Sequence, residues 1–528
     1  MMKRILSSMF VMLICAFAGE YLVDVELTEE RLSTLAQTGV RILAELENSA
    51  VVLLDDVDFE RISMFKYRIL DTPSVTDDYY IVRPMKGGTD LTLFGDILTR
   101  DGDDYVINVQ TDMLESLIDQ RVMLKHLSFT PMVIRSGTEF PPVRYNQTVA
   151  DIVSLISADS ILANVQRLQD FRTRLSTHDS CMAAANWIRD KFLAIGCDTV
   201  YFQYHTTGHA PNVIAVKDGT VYPDSIYGII CGHFDSFAFS SPELAPGADD
   251  NASGTSAVIE AARVMRNYDF EYSVRYIAFS GEEMGLYGSE YYAENARSQG
   301  DSIIGVINGD MIAYVDLQPE SLEVIAKPTN PACGPFADFF AAVADTYTTL
   351  ETTIQLSTTM IYSDHSPFWN QGYVALCNIE DWPTNTPYVH TPGDSIGAGF
   401  NDLAFCTDAT RAEIAALAVL AIPVGTGIDE LIAAGSENIG LTIRPTVGRA
   451  LFTISLMSQS SNPANLTIHD VAGRVVKNIS LPASEAGQQV SALWDGTDDA
   501  GKQLPAGIYL VTAADRALSA TAKLVMLR

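Results

Sequence analysis

The sequence is poor in basic residues. Its 528 residues include 34 lysines and arginines against 66 aspartates and glutamates, which gives a formal net charge of −32. Because such a surface repels phosphate groups, the charge argues against nucleic acid or anionic membranes as partners. We expect a monomer.

Long apolar runs are also missing beyond the first residues of the chain. No later segment reaches 18 uninterrupted apolar residues, so no membrane span is predicted. The most apolar stretch, residues 412–424, is typical of a buried helix. Met1 to Ala18 has Lys3 and Arg4, then an apolar run and small residues. This pattern predicts a signal peptide over residues 1–19 and a secreted or cell-surface protein.

Cysteines are few, seven in the whole chain, and one of them lies in the predicted signal peptide. Export permits disulfide bonds among the other six. Cys181 and Cys197 flank a predicted helix and would be about 24 Å apart at 1.5 Å per residue. They cannot pair with each other, since a disulfide needs Cα atoms within about 7 Å. Whether any other pair forms is left open.

A serine-hydrolase motif is absent too. The segment "SDHS" at residues 363–366 contains the residue types of a catalytic triad, but the chain has no Gly-x-Ser-x-Gly elbow. We therefore reject a serine nucleophile.

The chain does contain acidic and histidine residues in the order that a two-metal hydrolase requires: His233, Asp235, Asp250, Glu282, Glu283, Asp310 and His390. Zinc accepts histidine nitrogen and carboxylate oxygen, and two zinc ions about 3.5–4 Å apart can polarise a carbonyl and generate hydroxide. Holding two cations this close requires a bridging anion, which Asp250 can provide. The simplest pairing then gives one ion to His233 and Asp310.

The second ion is then assigned to Glu283 and His390. Glu282 points a different way from Glu283 in an extended or turn segment, and it is predicted to be the general base that passes its proton to the leaving amine. Asp235 is placed to accept the second ring N–H of His233 and fix its tautomer.

Short apolar runs predict the fold around these residues. Residues 227–234, 273–280, 303–309 and 372–379 are mostly β-branched or aromatic and are bounded by turn residues. They alternate with helical patterns, which predicts an α/β domain with a largely parallel sheet sandwiched by helices. Most of the candidate ligands fall at the carboxyl ends of strands, where open α/β sheets bind ligands.

The segment 147–425 resembles the M28 family of zinc aminopeptidases. The motifs that carry the resemblance are His-x-Asp at 233–235, "GADDNASG" at 247–254, "GEEMGLYGS" at 281–289, "DM" at 310–311 and "HT" at 390–391. The resemblance implies two Zn²⁺ ions, the five ligands and general base named above, and peptide N-termini as substrates. Some relatives use a tyrosine beside the last histidine to bind the oxyanion, where this chain has Val389, and Tyr362 is the candidate for that role. Asp364 and His365 are candidates either for supporting the metal ligands or for fixing their loop.

Residues 20–142 form a separate α+β unit with an internal repeat. "AVVLLDDVDFERISMFKYRIL" at residues 50–70 is similar to "YVINVQTDMLESLIDQRVMLKHL" at residues 105–127, and both suggest a strand, a helix and a strand. The unit is expected to be either a propeptide, which assists folding or covers the site, or an accessory domain. A linker rich in proline, glycine and polar residues follows it.

Beyond a Gly/Ser-rich linker at 426–440, residues 441–528 change character. Short strands separated by turn residues predict a β-sandwich with Trp494 and Tyr509 in its core. This tail resembles the immunoglobulin-like domains of type IX secretion sorting and of flagellar hook capping. By that resemblance, its partner would be a secretion machinery.

Three functions are compatible with this sequence. The first is a secreted exopeptidase that hydrolyses the N-terminal peptide bond with a zinc-activated water and a glutamate base. The second is a single-zinc glutaminyl cyclotransferase on the same fold, and the third is a non-catalytic surface adhesin. The complete ligand set favours the peptidase, whereas carboxypeptidase or dipeptidase activity is not excluded.

Overall fold

The computed structural model describes residues 19–526, except for 28–30, 75–76, 86–88, 111–112, 135–139, 141–142, 318, 382–385, 425–440, 445–446, 449–451, 458–464, 471–473, 482–488, 500, 506 and 516–517. The predicted signal peptide, apart from Gly19, and the predicted linker 426–440 lie outside the described residues. The chain divides into two units, residues 1–424 and residues 425–528, and each is described by itself.

Two copies of one module begin the first unit. The first copy consists of β1 (Glu20–Glu26), α1 (Arg31–Gln37), β2 (Arg41–Glu45), β3 (Ser49–Asp55), α2 (Asp58–Arg61) and β4 (Tyr67–Asp71). The second consists of β5 (Tyr79–Pro84), a 3-10 turn (Leu91–Leu93), β6 (Gly95–Asp101), β7 (Asp104–Val109), α3 (Leu114–Ile118) and β8 (Val122–His126). The sheet orders are β2-β3-β1-β4 and β6-β7-β5-β8. Both copies therefore have the βαββαβ arrangement of ferredoxin-like domains. The two similar sequence segments correspond to β3–α2–β4 and β7–α3–β8.

The sheets of the two modules pack face to face. Tyr79 and Ile81 of β5 lie in one apolar cluster with residues of the first sheet, including Leu22 and Leu53. Successive side chains of a strand point to opposite faces. Tyr80, which lies between them in β5, therefore points to the opposite face of the second sheet. On that face it packs in a second apolar cluster with α3 and with side chains from residues 143–424. This second face joins the second module to the remainder of the unit.

The remainder of the unit is built on an eight-stranded sheet. Its elements are α4 (Gln147–Ser154), α5 (Ala158–Gln169), α6 (Asp179–Ile195), β9 (Thr199–Gln203), β10 (Asn212–Lys217), β11 (Tyr222–His233), α7 (Ala252–Met265), β12 (Tyr272–Phe279), α8 (Tyr287–Gln299), β13 (Ser302–Gly309), β14 (Ser321–Ala326), α9 (Cys333–Tyr347), β15 (Glu351–Leu356), α10 (His365–Asn370), β16 (Ala375–Ile379) and α11 (Leu403–Ala421). The strand order is β15-β14-β16-β13-β11-β12-β10-β9. Helices sandwich the sheet, and one large apolar core contains both.

The centre of the sheet is parallel and is flanked on both sides by antiparallel pairs, while β14 and β15 at one edge again pair in parallel. β12, β11, β13 and β16 pair in parallel, while β10 pairs antiparallel with β12 and β9, and β14 pairs antiparallel with β16. The α/β fold with a mostly parallel mixed sheet is confirmed. β9, β10, β14 and β15 were not among the predicted strands.

The second unit forms an all-β sandwich. Its strands are β17 (Leu441–Arg444), β18 (Val447–Gly448), β19 (Phe452–Met457), β20 (Asn465–Asp470), β21 (Val475–Ser480), β22 (Gln489–Trp494), β23 (Gly507–Asp515) and β24 (Leu518–Met526). They form sheets in the orders β17-β19-β22 and β18-β24-β23-β20-β21, which share one apolar core. Trp494 and Tyr509 are buried in that core, as predicted.

Within the described ranges, Cys181, Cys197, Cys231, Cys333, Cys377 and Cys406 are free thiols. No single described helix is long and apolar enough to cross a membrane; α4 and α5 pass that test only when taken together, across a bend of 53°.

Candidate metal centre

Three neighbouring parallel strands deliver most of the candidate site. β11 ends at His233, Glu282 and Glu283 follow the end of β12, and Asp310 follows β13 directly. Because β12, β11 and β13 are adjacent and parallel, their carboxyl ends meet at one edge of the sheet. Asp250 is placed beside them by the start of α7, and His390 by the loop that follows β16.

The two oxygens of Asp250 each face a different histidine. Oδ1 lies 3.3 Å from His233 Nε2, and Oδ2 lies 3.3 Å from His390 Nε2. His233 Nε2 is also 3.4 Å from Asp310 Oδ1, whereas His390 Nε2 is 2.8 Å from Glu283 Oε2. Asp250 therefore lies between two His/carboxylate pairs, and these are the pairs expected from the sequence.

Glu282 belongs to the same cluster without replacing either pair. Its Oε2 is 3.9 Å from His233 Nε2, which is longer than the distances from that nitrogen to Asp250 and Asp310. Donor atoms of His233, Glu282 and Asp310 lie within 4.8 Å of one another, and so do those of His233, Asp250 and Glu283. Each of these two groups of donor atoms is thus compact enough to hold a cation.

The charges of the site show that cations fit it. Four carboxylates and two imidazoles are gathered in surroundings from which water is largely excluded, since every one except the partly buried His390 is buried. Burial by itself lowers the pKa of His233, but the charges of Glu282 and Asp310 outweigh it and raise that pKa well above its ordinary value. His390 behaves likewise through Glu283 and Asp250. The cluster attracts positive charge, and its nitrogen and carboxylate donors suit zinc.

Asp235 acts mainly on the backbone of the glutamate pair. Its two carboxylate oxygens accept the main-chain N–H groups of Glu282 and Glu283, each at 3.3 Å. The nearest partner of His233 Nδ1 is the main-chain oxygen of Asp235 at 3.2 Å, whereas its Oδ1 is 3.7 Å away. The sequence-based assignment of the ring contact to the Asp235 carboxylate is therefore corrected: a carbonyl oxygen makes the closer contact, and the carboxylate orients the loop.

Sequence reasoning missed two groups that hold ligands in place. Asp394 accepts the main-chain N–H of Asp249 on one oxygen and that of Asp250 on the other, each at 3.0 Å. The Ser363 hydroxyl donates to Asp310 Oδ2 and accepts from the side-chain amide of Asn308. Asp394 lies four residues after His390, but nothing in the sequence distinguishes it from a solvated carboxylate.

The remaining sequence candidates have separate roles; they are Tyr362, Asp364 and His365. The Tyr362 hydroxyl donates to Asp104 Oδ1 of the second module at 2.6 Å. In this arrangement its donor is therefore engaged, and the oxyanion role stays a prediction for a form in which Asp104 is displaced. Asp364 is buried near the ligands, and burial raises its pKa to about 7. His365 contacts the Met360 carbonyl oxygen through Nε2 at 2.9 Å, so it fixes the loop and does not reach the ligands.

The ligands open into a cavity of about 70 Å³. Besides the metal-site residues, its walls contain Met311, Met360, Tyr362, Ile379 and Val389 from the sheet side. The opposite wall belongs to the second N-terminal module and consists of Met85, Ile118, Val122, Met123 and Leu124.

Comparison with protein-family models gives two matches. Residues 212–403, which contain every candidate metal ligand, match the model of peptidase family M28. Residues 440–517 match the FlgD Ig-like domain. The two matches fall on the eight-stranded sheet and on the β-sandwich respectively.

Two of the curated relatives are fungal proteins. The chain is 32% identical over 199 residues to a probable zinc metalloprotease of Pyrenophora tritici-repentis, covering 33% of this chain and 41% of that protein. It is 27% identical over 268 residues to leucine aminopeptidase 1 of Fusarium vanettenii, covering 47% of this chain and 67% of that protein. The chain thus spans less than half the length of the Pyrenophora protein. The first name is that of a zinc metalloprotease and the second that of an aminopeptidase.

Among solved structures, the LapA aminopeptidase of Legionella pneumophila is similar in fold. The two superpose with a TM-score of 0.55 and 19% sequence identity, over 66% of this chain and 99% of that one.

Proposed function

We propose that this protein is a zinc-dependent aminopeptidase that acts on the N-terminal bond of peptides. The observation that carries the proposal is the position of Asp250, whose two oxygens each face one His/carboxylate pair. The similarity to peptidase family M28 and to named aminopeptidases supports it. His233 with Asp310, and His390 with Glu283, would each hold one zinc ion, with Asp250 shared between them.

Bound zinc would supply a Lewis acid and lower the pKa of water. Glu282 is the proposed proton carrier, since its Oε2 lies at the edge of the ligand cluster. Burial raises the pKa of Glu282 well above its ordinary value, which is the direction that a proton acceptor needs. The carboxylate takes the proton of the attacking water and later delivers it to the leaving amine, while Asp235 holds the Glu282 backbone in place.

An apolar N-terminal residue is the proposed substrate preference. The sheet-side walls of the cavity offer Met311, Met360, Ile379 and Val389 beside the ligands. Burying a leucine-sized side chain against such a surface contributes about 1.5–3 kcal/mol. The name of the Fusarium relative, a leucine aminopeptidase, points the same way.

Aminoacyl reporter substrates test this function. Leucyl and methionyl reporters should be hydrolysed, N-blocked versions should not, and a chelator should abolish the reaction. Metal analysis should return two zinc ions per chain. One zinc ion in a fully active enzyme would refute the dinuclear site, and cyclisation of an N-terminal glutamine in place of hydrolysis would support the cyclotransferase alternative.

We also propose that the protein is exported and that the tail acts in sorting. Support comes from the signal-like residues 1–18, which lie outside the described residues, and from the FlgD Ig-like match in a separate unit. A protein truncated after residue 440 should keep its activity but accumulate in the periplasm of the source cell. Its normal release would refute the sorting role.

A further inference from the structure

The second N-terminal module closes the opening in front of the metal ligands. Ile118 at the end of α3, together with Val122 and Leu124 of β8, lies across the cavity from the cluster. The cavity of about 70 Å³ is small beside the roughly 300–1,000 Å³ typical of ligand pockets. The second module therefore restricts the access of a peptide to the ligands.

The second module contacts the loop that contains Glu282 and Glu283. The main-chain N–H of His126 donates to Gly285 O at 3.1 Å, and Met284 is buried in the apolar cluster of the module. His126 Nδ1 lies 2.7 Å from Glu290 Oε2 on α8, while Ser128 Oγ donates to Glu294 Oε1 at 2.5 Å. Burial alone lowers the pKa of His126, but the charge of Glu290 outweighs it and raises the pKa to about 10, so this contact is an ion pair.

Buried polar contacts also join both modules to the remainder of the unit. Lys125 Nζ donates to Ser366 Oγ at 3.0 Å. In the first module, Glu45 pairs with Lys327 at 2.9 Å, and both side chains are almost completely buried. Burying charge is costly unless it is paired, so these contacts are specific to the closed arrangement. Such buried contacts indicate a tightly packed interface between the modules and the remainder of the unit.

The side chains that the second module contributes to the cavity wall contain no catalytic group. Met85, Ile118, Val122, Met123 and Leu124 include no acid, base or strong hydrogen-bond donor in their side chains. Such a wall excludes water and substrate but contributes nothing to the hydrolysis of a peptide bond.

We propose that the tandem N-terminal modules are a built-in inhibitor of this site, and that a peptide enters only after they move away or are cut off. The inference rests on the proposed function, because it assigns the modules a role toward that catalytic site. It also decides between the two roles open for residues 20–142: a cover, and not a neutral accessory domain.

Loosening the interface in the full chain tests the proposal. The variant His126→Ala with Ser128→Ala removes both side-chain contacts to α8 and leaves every metal ligand intact. Each contact involves a charged partner, so hydrolysis of a leucyl reporter should rise about tenfold, because the rate follows the fraction of open molecules. Zinc loss to a chelating dye should accelerate as well. Lys66→Ala, which removes an exposed contact to Glu26 in the first module, is the matched control and should behave as wild type.

A second experiment does not depend on the stability of these variants. A site-specific protease sequence is inserted between Arg144 and Tyr145, both of which are exposed, and the purified zinc-loaded chain is cut. Specific activity of the cut chain should rise on dilution, as the modules dissociate, while the uncut chain should show no such dependence.

The proposal is overturned if the folded double variant hydrolyses and loses zinc no faster than wild type, or if the cut chain matches the uncut chain at every dilution. If zinc loss accelerates but no form hydrolyses the reporter, the cover stands and the proposed function fails.

Discussion

The cavity has two walls of opposite chemistry. The wall from the sheet contains carboxylates and imidazoles beside apolar side chains. Its carboxylate ligands are held in place by main-chain hydrogen bonds to Asp235 and Asp394 and by a hydrogen bond from Ser363. The wall from the second module is made of side chains that pack by shape alone. Changes on the sheet wall should therefore alter chemistry or metal binding, whereas changes on the module wall should alter access.

Glu282→Gln is expected to have the largest effect. The amide cannot accept a proton, so kcat should fall by about 10²–10⁴ while both zinc ions remain bound. Glu283→Gln is the matched comparison and should release zinc instead. Steady-state kinetics with metal analysis separate the two; a Glu282 variant that loses zinc beside a Glu283 variant that keeps it would reverse the assignment.

Asp394→Asn tests the support behind the sheet wall. An amide nitrogen cannot accept the N–H of Asp249 or Asp250, so the segment that carries the shared ligand should shift. We expect zinc affinity to fall by about 10–100-fold, the usual effect of losing such a supporting contact. Competition with a chelating dye measures it. Asp408→Asn, which lies on α11 and pairs with Arg411, is the control, and an equal loss there would remove the argument.

His365→Gln tests a buried histidine next to Ser366, whose hydroxyl accepts a hydrogen bond from Lys125 of the second module. Burial lowers the pKa of His365 to about 3, from an ordinary value of 6.5. Between these values the unfolded chain binds a proton that the folded chain does not. This residue therefore makes the free energy of unfolding fall as the pH drops from 6.5 towards 3, by about 1.4 kcal/mol per pH unit.

Glutamine keeps a donor for the Met360 carbonyl but does not titrate. Urea unfolding at pH 6.5 and pH 5 should thus show a shallower pH dependence for His365→Gln than for wild type. Equal slopes in the two proteins would contradict the assignment.

Leu124→Ala should have the smallest effect on the metals. It enlarges the cavity from the module side and removes no ligand or supporting hydrogen bond, so zinc affinity in the dye competition should equal that of wild type. A measurable loss of zinc would mean that the module wall also shapes the metal site, and the contrast between the walls would fail.

The same contrast explains what the sequence could predict. His233, Glu282 and Asp310 follow apolar strands, and a metal site needs such residue types at strand ends, so the pattern is informative. Asp394 and Ser363 act by holding a backbone N–H or a carboxylate, which leaves no pattern of its own. Strands β9 and β15 were missed because they lie at the sheet margins, with half-exposed residues and no continuous apolar run.

The module wall could not be predicted for a different reason. Ile118, Val122 and Leu124 have the alternation of an ordinary core helix and strand, and nothing local tells which apolar surface they cover. The hydrogen bond of Tyr362 could not be predicted either, because its partner Asp104 lies 258 residues earlier in the chain. Contacts between distant segments decide both cases.

The linear order of the cover and the site has a consequence during synthesis. Domains generally fold as units, N-terminal first, at about 5–20 residues per second. The second module ends at His126 and the final metal ligand is His390, 264 residues later (390 − 126). The ribosome therefore needs roughly 13–53 s to travel from one to the other. Under the proposed inhibition, the cover is synthesised before the last ligand, so the growing chain never contains a complete site without its cover.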